Sequence, residues 1–176
     1  MTINTVLIGY RCCGKTSVGK FLADMLSCSF VDTDILVASA CCSSIEKLVK
    51  EKGWAYFRQK ETQLLKQIMH NENQVIATGG GMVMAPENRA LIKGAGFVVW
   101  LFADVNTIIQ RMAADIHTPA SRPRFTTRSL CEETSQTLAS RTPLYEKLAD
   151  MTVDTTCHPP RDIAWMIKRR LDHVRI

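Results

Sequence analysis

The residues with the clearest chemical potential form one loop near the N-terminus. Gly9-Tyr10-Arg11-Cys12-Cys13-Gly14-Lys15-Thr16 has the spacing G-x-x-x-x-G-K-[ST], between an apolar run that predicts a strand and an amphipathic pattern that predicts a helix. Its glycines let successive N–H groups turn inward around a chain of phosphates, and the helix adds the positive end of its dipole. Lys15 would reach the β- and γ-phosphates, and the Thr16 hydroxyl would bind Mg²⁺. The loop therefore predicts a nucleotide site.

Two carboxylates, Asp32 and Asp34, follow the second apolar run. At the carboxyl edge of an open α/β sheet, where ligands bind, one could orient the waters of Mg²⁺ and the other could accept a hydrogen bond from an attacking hydroxyl. Asp34 could instead cap a helix that begins near Ile35. Asp104 is a second candidate for the metal carboxylate, although its position favours a cap for the helix that begins at Val105.

Three glycines and a charged helical pair are further candidates for ligand contacts. Gly79-Gly80-Gly81 follows the third apolar run and exposes backbone that can pass close to a ligand, with a plain flexible turn as the alternative. Arg58 and Glu61 lie one helical turn apart, and taken alone they are explained as a solvated ion pair.

Short apolar runs alternate with helical patterns along the chain, which predicts a doubly wound α/β sheet. The predicted parallel strands are Thr5–Ile8, Phe30–Val31, Val75–Ala77, Phe97–Phe102 and Met151–Val153. The stretch from Ala113 to Arg128 has no pattern and contains two prolines, which predicts a mobile loop.

Length and composition indicate one globular domain. The chain has 176 residues, of which 46% are hydrophobic and 22% charged, without an apolar run long enough for a membrane span. The N-terminus lacks a basic segment followed by an apolar one, so we expect a cytoplasmic protein. Seven cysteines without a Cys-x-x-Cys spacing favour reduced thiols over disulfides or zinc, and Cys12 and Cys13 are expected to be small packing residues. A formal net charge of +5 suits an anionic ligand but does not identify one.

The order and spacing of these motifs resemble the shikimate kinase family along nearly the whole chain. Besides the loop, the resemblance rests on Asp32-Thr33-Asp34, Phe57-Arg58 with Glu61, Gly79-Gly80-Gly81, Arg122-Pro123, and Arg141-Thr142-Pro143-Leu144-Tyr145. It implies a P-loop NTPase fold like that of the nucleoside monophosphate kinases, with three α/β/α layers, a five-stranded parallel sheet and a mobile lid. It also implies a single kinase domain over residues 1–176, a substrate-binding region near 33–61 and a lid near 112–128.

The resemblance implies that the protein uses ATP and Mg²⁺ to phosphorylate the 3-hydroxyl of shikimate, giving shikimate 3-phosphate and ADP. This reaction belongs to the biosynthesis of chorismate and the aromatic amino acids. The implied catalytic residues are Lys15, Asp34 and Arg122, and the implied metal ligands are Thr16 and Asp32. The implied shikimate contacts are Asp34, Arg58, Gly79, Gly80, Gly81 and Arg141. The implied nucleotide contacts are Arg11, Cys12, Cys13, Gly14, Lys15, Thr16, Ser17, Arg111, Arg122 and Pro160. The guanidinium groups of Arg58 and Arg141 suit a planar carboxylate, which shikimate offers. We expect a monomer that binds neither nucleic acid nor membrane.

Two positions depart from the family pattern. Cys12 stands where a glycine is frequent, and Arg124 stands where an apolar residue is usual. Arg124 could therefore join phosphate binding or remain solvated, while Arg122 is the implied lid arginine.

Parts of the sequence also fit other functions. A kinase for gluconate or for a nucleoside monophosphate is the nearest alternative. A GTP-dependent switch would need an Asn-Lys-x-Asp segment, which the sequence lacks. The basic segment Lys168-Arg169-Arg170 could bind nucleic acid, but cations in a last helical turn usually complement the helix dipole.

Overall fold

A parallel five-stranded sheet forms the centre of the computed structural model, which describes residues 3–114 and 129–174. The strands within those ranges are β1 (Asn4–Ile8), β2 (Ser29–Asp32), β3 (Gln74–Ala77), β4 (Gly96–Phe102) and β5 (Met151–Asp154). Their order is β2-β3-β1-β4-β5, and every neighbouring pair is parallel. All five carboxyl ends therefore meet at one edge, and the predicted sheet is confirmed.

Seven α-helices connect the strands within the described part of the chain. They are α1 (Lys15–Leu26), α2 (Thr33–Ala40), α3 (Ile45–Ile68), α4 (Pro86–Ala95), α5 (Val105–Ala114), α6 (Leu130–Leu148) and α7 (Pro160–Val174), with a short 3-10 helix at Met82–Met84. None of these helices is long and apolar enough to cross a membrane. The stretch predicted to be a loop begins as helix, because Ala113 and Ala114 are the last residues of α5. Residues 115–128, which include Arg122 and Arg124, lie outside the described residues.

Helices cover both faces of the sheet. Side chains alternate between faces along a strand, so neighbouring residues of β1 enter different cores. Leu7 packs in one cluster with Val18 of α1 and Ile167 of α7. Val6 packs in the other with Tyr145 of α6. Burial on both faces explains why the three central strands β3, β1 and β4 are mainly apolar. The cover of helices on both faces confirms the three-layer α/β/α architecture.

A small third core lies under α2 and α3. It consists of the buried residues Val37, Ile45, Leu48, Val49 and Phe57. Between Ile45 and Phe57 the helix α3 bends at Gly53, whose φ of 81° and ψ of 167° are not helical. A side chain would be strained at this φ, so glycine permits the bend. The two halves of α3 thereby fold around one core.

Candidate active site

The loop between β1 and α1 is a phosphate-binding turn at the centre of the sheet edge. Gly9 has a φ of 141°, and a Cβ at this position would overlap the Leu101 carbonyl oxygen, so only glycine fits against β4. The helix α1 begins at Lys15, and among the described residues no side chain caps its first turn. N–H groups at an uncapped helix N-terminus bind anions well. The geometry therefore fits a polyphosphate.

The Lys15 side chain lies folded into this loop. Its ammonium group donates a 2.6 Å hydrogen bond to the Tyr10 carbonyl oxygen, and the residue is 9% exposed. The contact holds the cation beside the helix N-terminus, where a phosphate chain would pass. Lys15 therefore lies where the sequence predicts it.

Two oxygen donors for a metal lie side by side at the ends of the loop and β2. The Thr16 hydroxyl donates a 2.7 Å hydrogen bond to Oδ2 of Asp32. Both are hard oxygen ligands of the kind that Mg²⁺ prefers, and Mg²⁺ normally takes few ligands from the protein. Within residues 3–114 and 129–174 no group of three His, Cys, Asp or Glu residues could hold a metal ion. The pair thus fits Mg²⁺ that completes its coordination with water and phosphate.

Asp32 also caps α2, which corrects the interpretation of Asp34 as a helix cap. Oδ1 of Asp32 accepts hydrogen bonds from the backbone N–H groups of Asp34 at 3.0 Å and Ile35 at 3.4 Å, and the helix begins at Thr33. Asp104 plays the same part at α5, where its Oδ1 accepts the Thr107 N–H at 2.9 Å. Hydrogen bonds from Thr107 hold the pKa of Asp104 below its usual value. The expectation that Asp104 is a cap is confirmed.

A cleft of about 420 Å³ opens over the loop. Its lining includes most residues predicted to contact nucleotide, namely Arg11, Cys12, Gly14, Lys15, Thr16, Ser17, Arg111 and Pro160. Asp32 and Asp34 line the same cleft. Of the predicted nucleotide contacts, Cys13 does not line it, and Arg122 lies outside the described residues.

Arg111 connects the loop to the segment that follows β5. Its guanidinium group donates to the Cys12 carbonyl oxygen at 3.3 Å, to the Thr155 hydroxyl at 2.9 Å and to the Thr155 carbonyl oxygen. These bonds hold the Arg111 side chain against the loop. Arg111 forms part of one wall of the cleft.

The two loop cysteines differ in environment. Cys13 is 1% exposed and belongs to the core, where burial raises the pKa of its thiol. A thiol with a raised pKa is a poor nucleophile near neutral pH. Cys12 lines the cleft in a left-handed backbone conformation with a φ of 59°. All seven cysteines lie in the described residues, and none of them forms a disulfide there, which agrees with the reduced thiols that the sequence favours.

A second pocket adjoins the first and is rich in charge. Arg11, Asp34, Arg58, Glu61 and Arg141 line it together with Gly80, Gly81 and a rim of apolar and aromatic side chains. Such a combination of guanidinium groups and carboxylates suits a small acid that also carries hydroxyl groups. The structure therefore brings the predicted acceptor residues Asp34, Arg58 and Arg141 together.

Arg58 is held in this pocket by a buried carboxylate. Its guanidinium group is ion-paired with Glu61, whose side chain is 1% exposed, so the solvated pair expected from sequence alone is wrong. The guanidinium carbon also lies 5.4 Å from the Trp54 ring centroid and 5.2 Å from that of Phe57. Contacts of this kind fix the direction of the cation before a ligand arrives.

The glycine run lies where side chains would not fit. A Cβ at Gly79 would lie 2.6 Å from Oδ1 of Asp34 and 2.8 Å from Oε1 of Glu61, and a Cβ at Gly81 would meet the Arg58 guanidinium group. The Gly79 N–H already donates to the Thr33 hydroxyl at 2.8 Å, so Gly79 contributes space more than a hydrogen bond. A plain flexible turn does not explain these close approaches.

Arg141 and Tyr145 of α6 hold the middle glycine. The Gly80 carbonyl oxygen accepts hydrogen bonds from Arg141 Nη1 at 3.0 Å and from the Tyr145 hydroxyl at 2.6 Å. Burial raises the pKa of Tyr145 far above its ordinary value, so the hydroxyl keeps its proton and remains a donor. These bonds fix the glycine run against the loop.

Several lining residues were missed by sequence reasoning. Thr155 and His158 follow β5 and line the nucleotide cleft, and the rule that ligands bind at carboxyl ends of strands could have found them. Trp54 and Ile45 line the second pocket. Sequence reasoning also missed Glu133, which lines neither cavity but whose carboxylate pairs with Arg11. No motif around Glu133 pointed to this contact.

The parallel sheet, the loop with its lysine and the paired cavities define a P-loop small-molecule kinase. A family model described as shikimate kinase matches residues 11–172, and the chain belongs to the shikimate kinase family. The protein accordingly transfers a phosphoryl group from ATP, with Mg²⁺, to shikimate in aromatic biosynthesis.

Individual relatives agree with this assignment. The chain is 36% identical over 167 residues to "Shikimate kinase 2" of Yersinia enterocolitica, an alignment that covers 95% of this chain and 94% of the relative. It is 37% identical over 180 residues to "Shikimate kinase" of Syntrophus aciditrophicus, covering 98% and 92%. Among solved structures, the Acinetobacter baumannii shikimate kinase in complex with shikimate superposes with a TM-score of 0.93 at 29% identity, covering 100% of this chain and 96% of that one.

Proposed function

We propose that the cleft over the loop binds ATP, that the adjoining pocket binds shikimate, and that the phosphoryl group crosses where the two cavities meet. The observation that carries this division is the position of Asp34, which lines both cavities. A group that orients the attacking hydroxyl must reach the acceptor and also lie near the γ-phosphate. Asp34 meets that requirement because it lines both cavities.

On the nucleotide side, the N–H groups of the loop and the α1 N-terminus would hold the phosphates, with Lys15 beside them. Thr16 and Asp32 would hold Mg²⁺, which when bound draws charge from the phosphate oxygens. Arg111 and Pro160 would flank the adenine end, since both line the cleft. Ser17, at the start of α1, would complete the contacts with the phosphates.

On the acceptor side, Arg58 and Arg141 would bind the shikimate carboxylate through paired, charge-assisted hydrogen bonds. Gly79, Gly80 and Gly81 would leave room for the ring to approach the backbone. Asp34 would accept a hydrogen bond from the attacking 3-hydroxyl and take its proton as the new O–P bond forms. The bond between the γ-phosphorus and the β,γ-bridging oxygen would break in the same transfer, and ADP would leave with that oxygen. In-line transfer of this kind depends mainly on positioning and on charge stabilisation.

Other parts of the proposal rest on the family resemblance. We assign the charge-stabilising lid arginine to Arg122, the lid to residues near 112–128 and the substrate-binding region to residues near 33–61. The chain would act as one kinase domain, as a monomer, in the cytoplasm.

The acceptor can be tested by measuring ADP release with shikimate, gluconate and nucleoside monophosphates side by side. We expect rapid ADP release only when shikimate is the acceptor. With gluconate or a nucleoside monophosphate, ADP release should stay near the rate measured without any acceptor. Phosphorylated product should appear in a one-to-one ratio with ADP. Faster release with gluconate or a nucleoside monophosphate than with shikimate would overturn the assignment of the pocket.

A further inference from the structure

Arg11 lies in the wall that separates the two cavities. It lines both the nucleotide cleft and the acid pocket, although the residue is only 8% exposed. Its guanidinium carbon lies 5.6 Å from the Tyr10 ring centroid, and that of Arg141 lies 5.7 Å from the same centroid. Two buried cations thus share one aromatic ring at the junction of the proposed donor and acceptor sites.

The carboxylate of Glu133 forms an ion pair with Arg11. Glu133 Oε1 lies 3.4 Å from Arg11 Nη2, and the Glu133 side chain is only 2% exposed. Glu133 belongs to the first turn of α6, 122 residues along the chain from Arg11. A carboxylate buried this deeply is costly unless a cation faces it, and Arg11 is that cation. Because a buried ion pair adds little stability by itself, we look for its role in function.

Glu133 affects both the charge balance around Arg11 and the direction of its guanidinium group. Two guanidinium groups near one ring repel each other, and the repulsion is strong where water is largely excluded. A buried carboxylate next to Arg11 offsets that repulsion and restricts the guanidinium to one direction. An arginine fixed in this way needs no reorganisation when negative charge develops beside it.

We propose that Glu133 is a positioning residue for phosphoryl transfer. It holds the Arg11 guanidinium group at the shared wall, where Arg11 stabilises the negative charge on the phosphoryl group as that group passes from donor to acceptor. This inference rests on the proposed function, because it needs ATP in the cleft and the acid in the pocket. A cation that lines both cavities remains near the phosphoryl group from the beginning to the end of an in-line transfer.

The test is a double-mutant cycle measured by steady-state kinetics with shikimate and ATP. We expect Glu133→Gln to lower kcat about tenfold and Arg11→Ala about a hundredfold. The Michaelis constants of both substrates should change by less than about threefold in Glu133→Gln, because the loss falls on the transition state. Since Glu133 acts through Arg11, the double variant should match Arg11→Ala within about twofold.

Glu146→Gln is the matched control, because it makes the same chemical change at an exposed site on the same helix. It should retain the wild-type kcat. A Glu133→Gln variant with wild-type kcat would overturn the inference. A double variant whose losses multiply to about a thousandfold would also overturn it, because Glu133 would then act independently of Arg11.

Thermal unfolding of each variant separates positioning from simple destabilisation. The deficit in kcat of Glu133→Gln should persist well below its melting temperature, and Glu133→Asp should recover part of it by restoring a carboxylate. If Glu133→Gln does not fold, Glu133→Asp and Arg11→Ala still decide the matter, since wild-type kcat in Arg11→Ala would overturn the inference. If the wild-type protein itself released no ADP with shikimate, the proposed function would fail instead.

Discussion

The hydroxyl of Thr16 and the carboxylate of Asp32 lie 2.7 Å apart, joining the first turn of α1 to the end of β2. Asp32→Asn should therefore raise the Mg²⁺ concentration needed for half-maximal activity by about tenfold, because a neutral amide binds a hard cation poorly. Asparagine caps helices as well as aspartate does, so the folding of α2 should be preserved. A magnesium titration of kcat, with thermal unfolding alongside, measures both effects.

Asp104→Asn provides the matched control for that experiment. Asp104 also caps a helix at the carboxyl edge of the sheet, but it does not line the nucleotide cleft. Its magnesium dependence should equal that of the wild type. An equal shift in both variants would mean that the change is electrostatic and general, and that Asp32 is not a metal ligand.

Lys15→Met should lower kcat by about a thousandfold or more, because the methyl thioether cannot stabilise negative charge on the transferring group. The near-ultraviolet and far-ultraviolet circular dichroism should stay close to the wild type. Lys20→Met, at an exposed position of the same helix, should retain full activity. Retention of more than about a tenth of the wild-type kcat in Lys15→Met would be incompatible with the assigned role.

Asp34→Asn should lower kcat by about a hundredfold while the Michaelis constant for ATP changes by less than about threefold. The reason is that the proposal places Asp34 next to the acceptor hydroxyl, whereas it assigns the metal to Thr16 and Asp32. The magnesium titration should be unaltered. A defect confined to the magnesium requirement would show that Asp32 and Asp34 have been assigned the wrong way round.

Gly81→Ala should raise the Michaelis constant for shikimate by about tenfold and leave that for ATP almost unchanged. The new Cβ would lie 2.7 Å from Cζ of Arg58, so the guanidinium group must move away from the pocket. Gly94→Ala is the control, since nothing lies within 4 Å of a Cβ there. In α4 the alanine should stabilise the protein by about 0.5–1 kcal/mol without changing either constant.

Arg122→Ala should lower kcat by about a hundredfold or more, as the loss of a charge-stabilising arginine does in phosphoryl transfer. Arg124→Ala should have a much smaller effect. The two arginines are two residues apart, so a general loss of positive charge would affect both variants alike. A larger loss in Arg124→Ala would assign the lid role to Arg124.

The sequence predicts those parts of the site that are local. The loop is encoded in eight consecutive residues, and α1 in the amphipathic pattern that follows them. The central strands are encoded in short apolar runs, because burial on both faces favours apolar side chains. The helix caps were harder to predict. Asp32 and Asp34 both precede or begin α2, and only the backbone geometry shows that Asp32 accepts the N–H groups.

Contacts between distant segments could not be predicted from single motifs. Glu133 faces Arg11 across 122 residues, and Tyr145 reaches the Gly80 carbonyl oxygen across 65. Nothing in the local pattern around Glu133 distinguishes it from its neighbour Glu132, which closes a capping box with Ser129. Packing against the loop makes one glutamate buried while the other stays at the surface.

The central position of β1 constrains the order in which the protein can form during synthesis. This strand is synthesised well before its partners, since Thr5 pairs with Val75 and Asn4 with Gly96. Pairings so distant in sequence slow folding, because the chain loses entropy when a long loop closes, before the new contacts stabilise it. The cleft also needs Thr155 and Pro160, which are added later still. ATP can therefore stabilise the nascent chain through the complete cleft only after Pro160 has been translated.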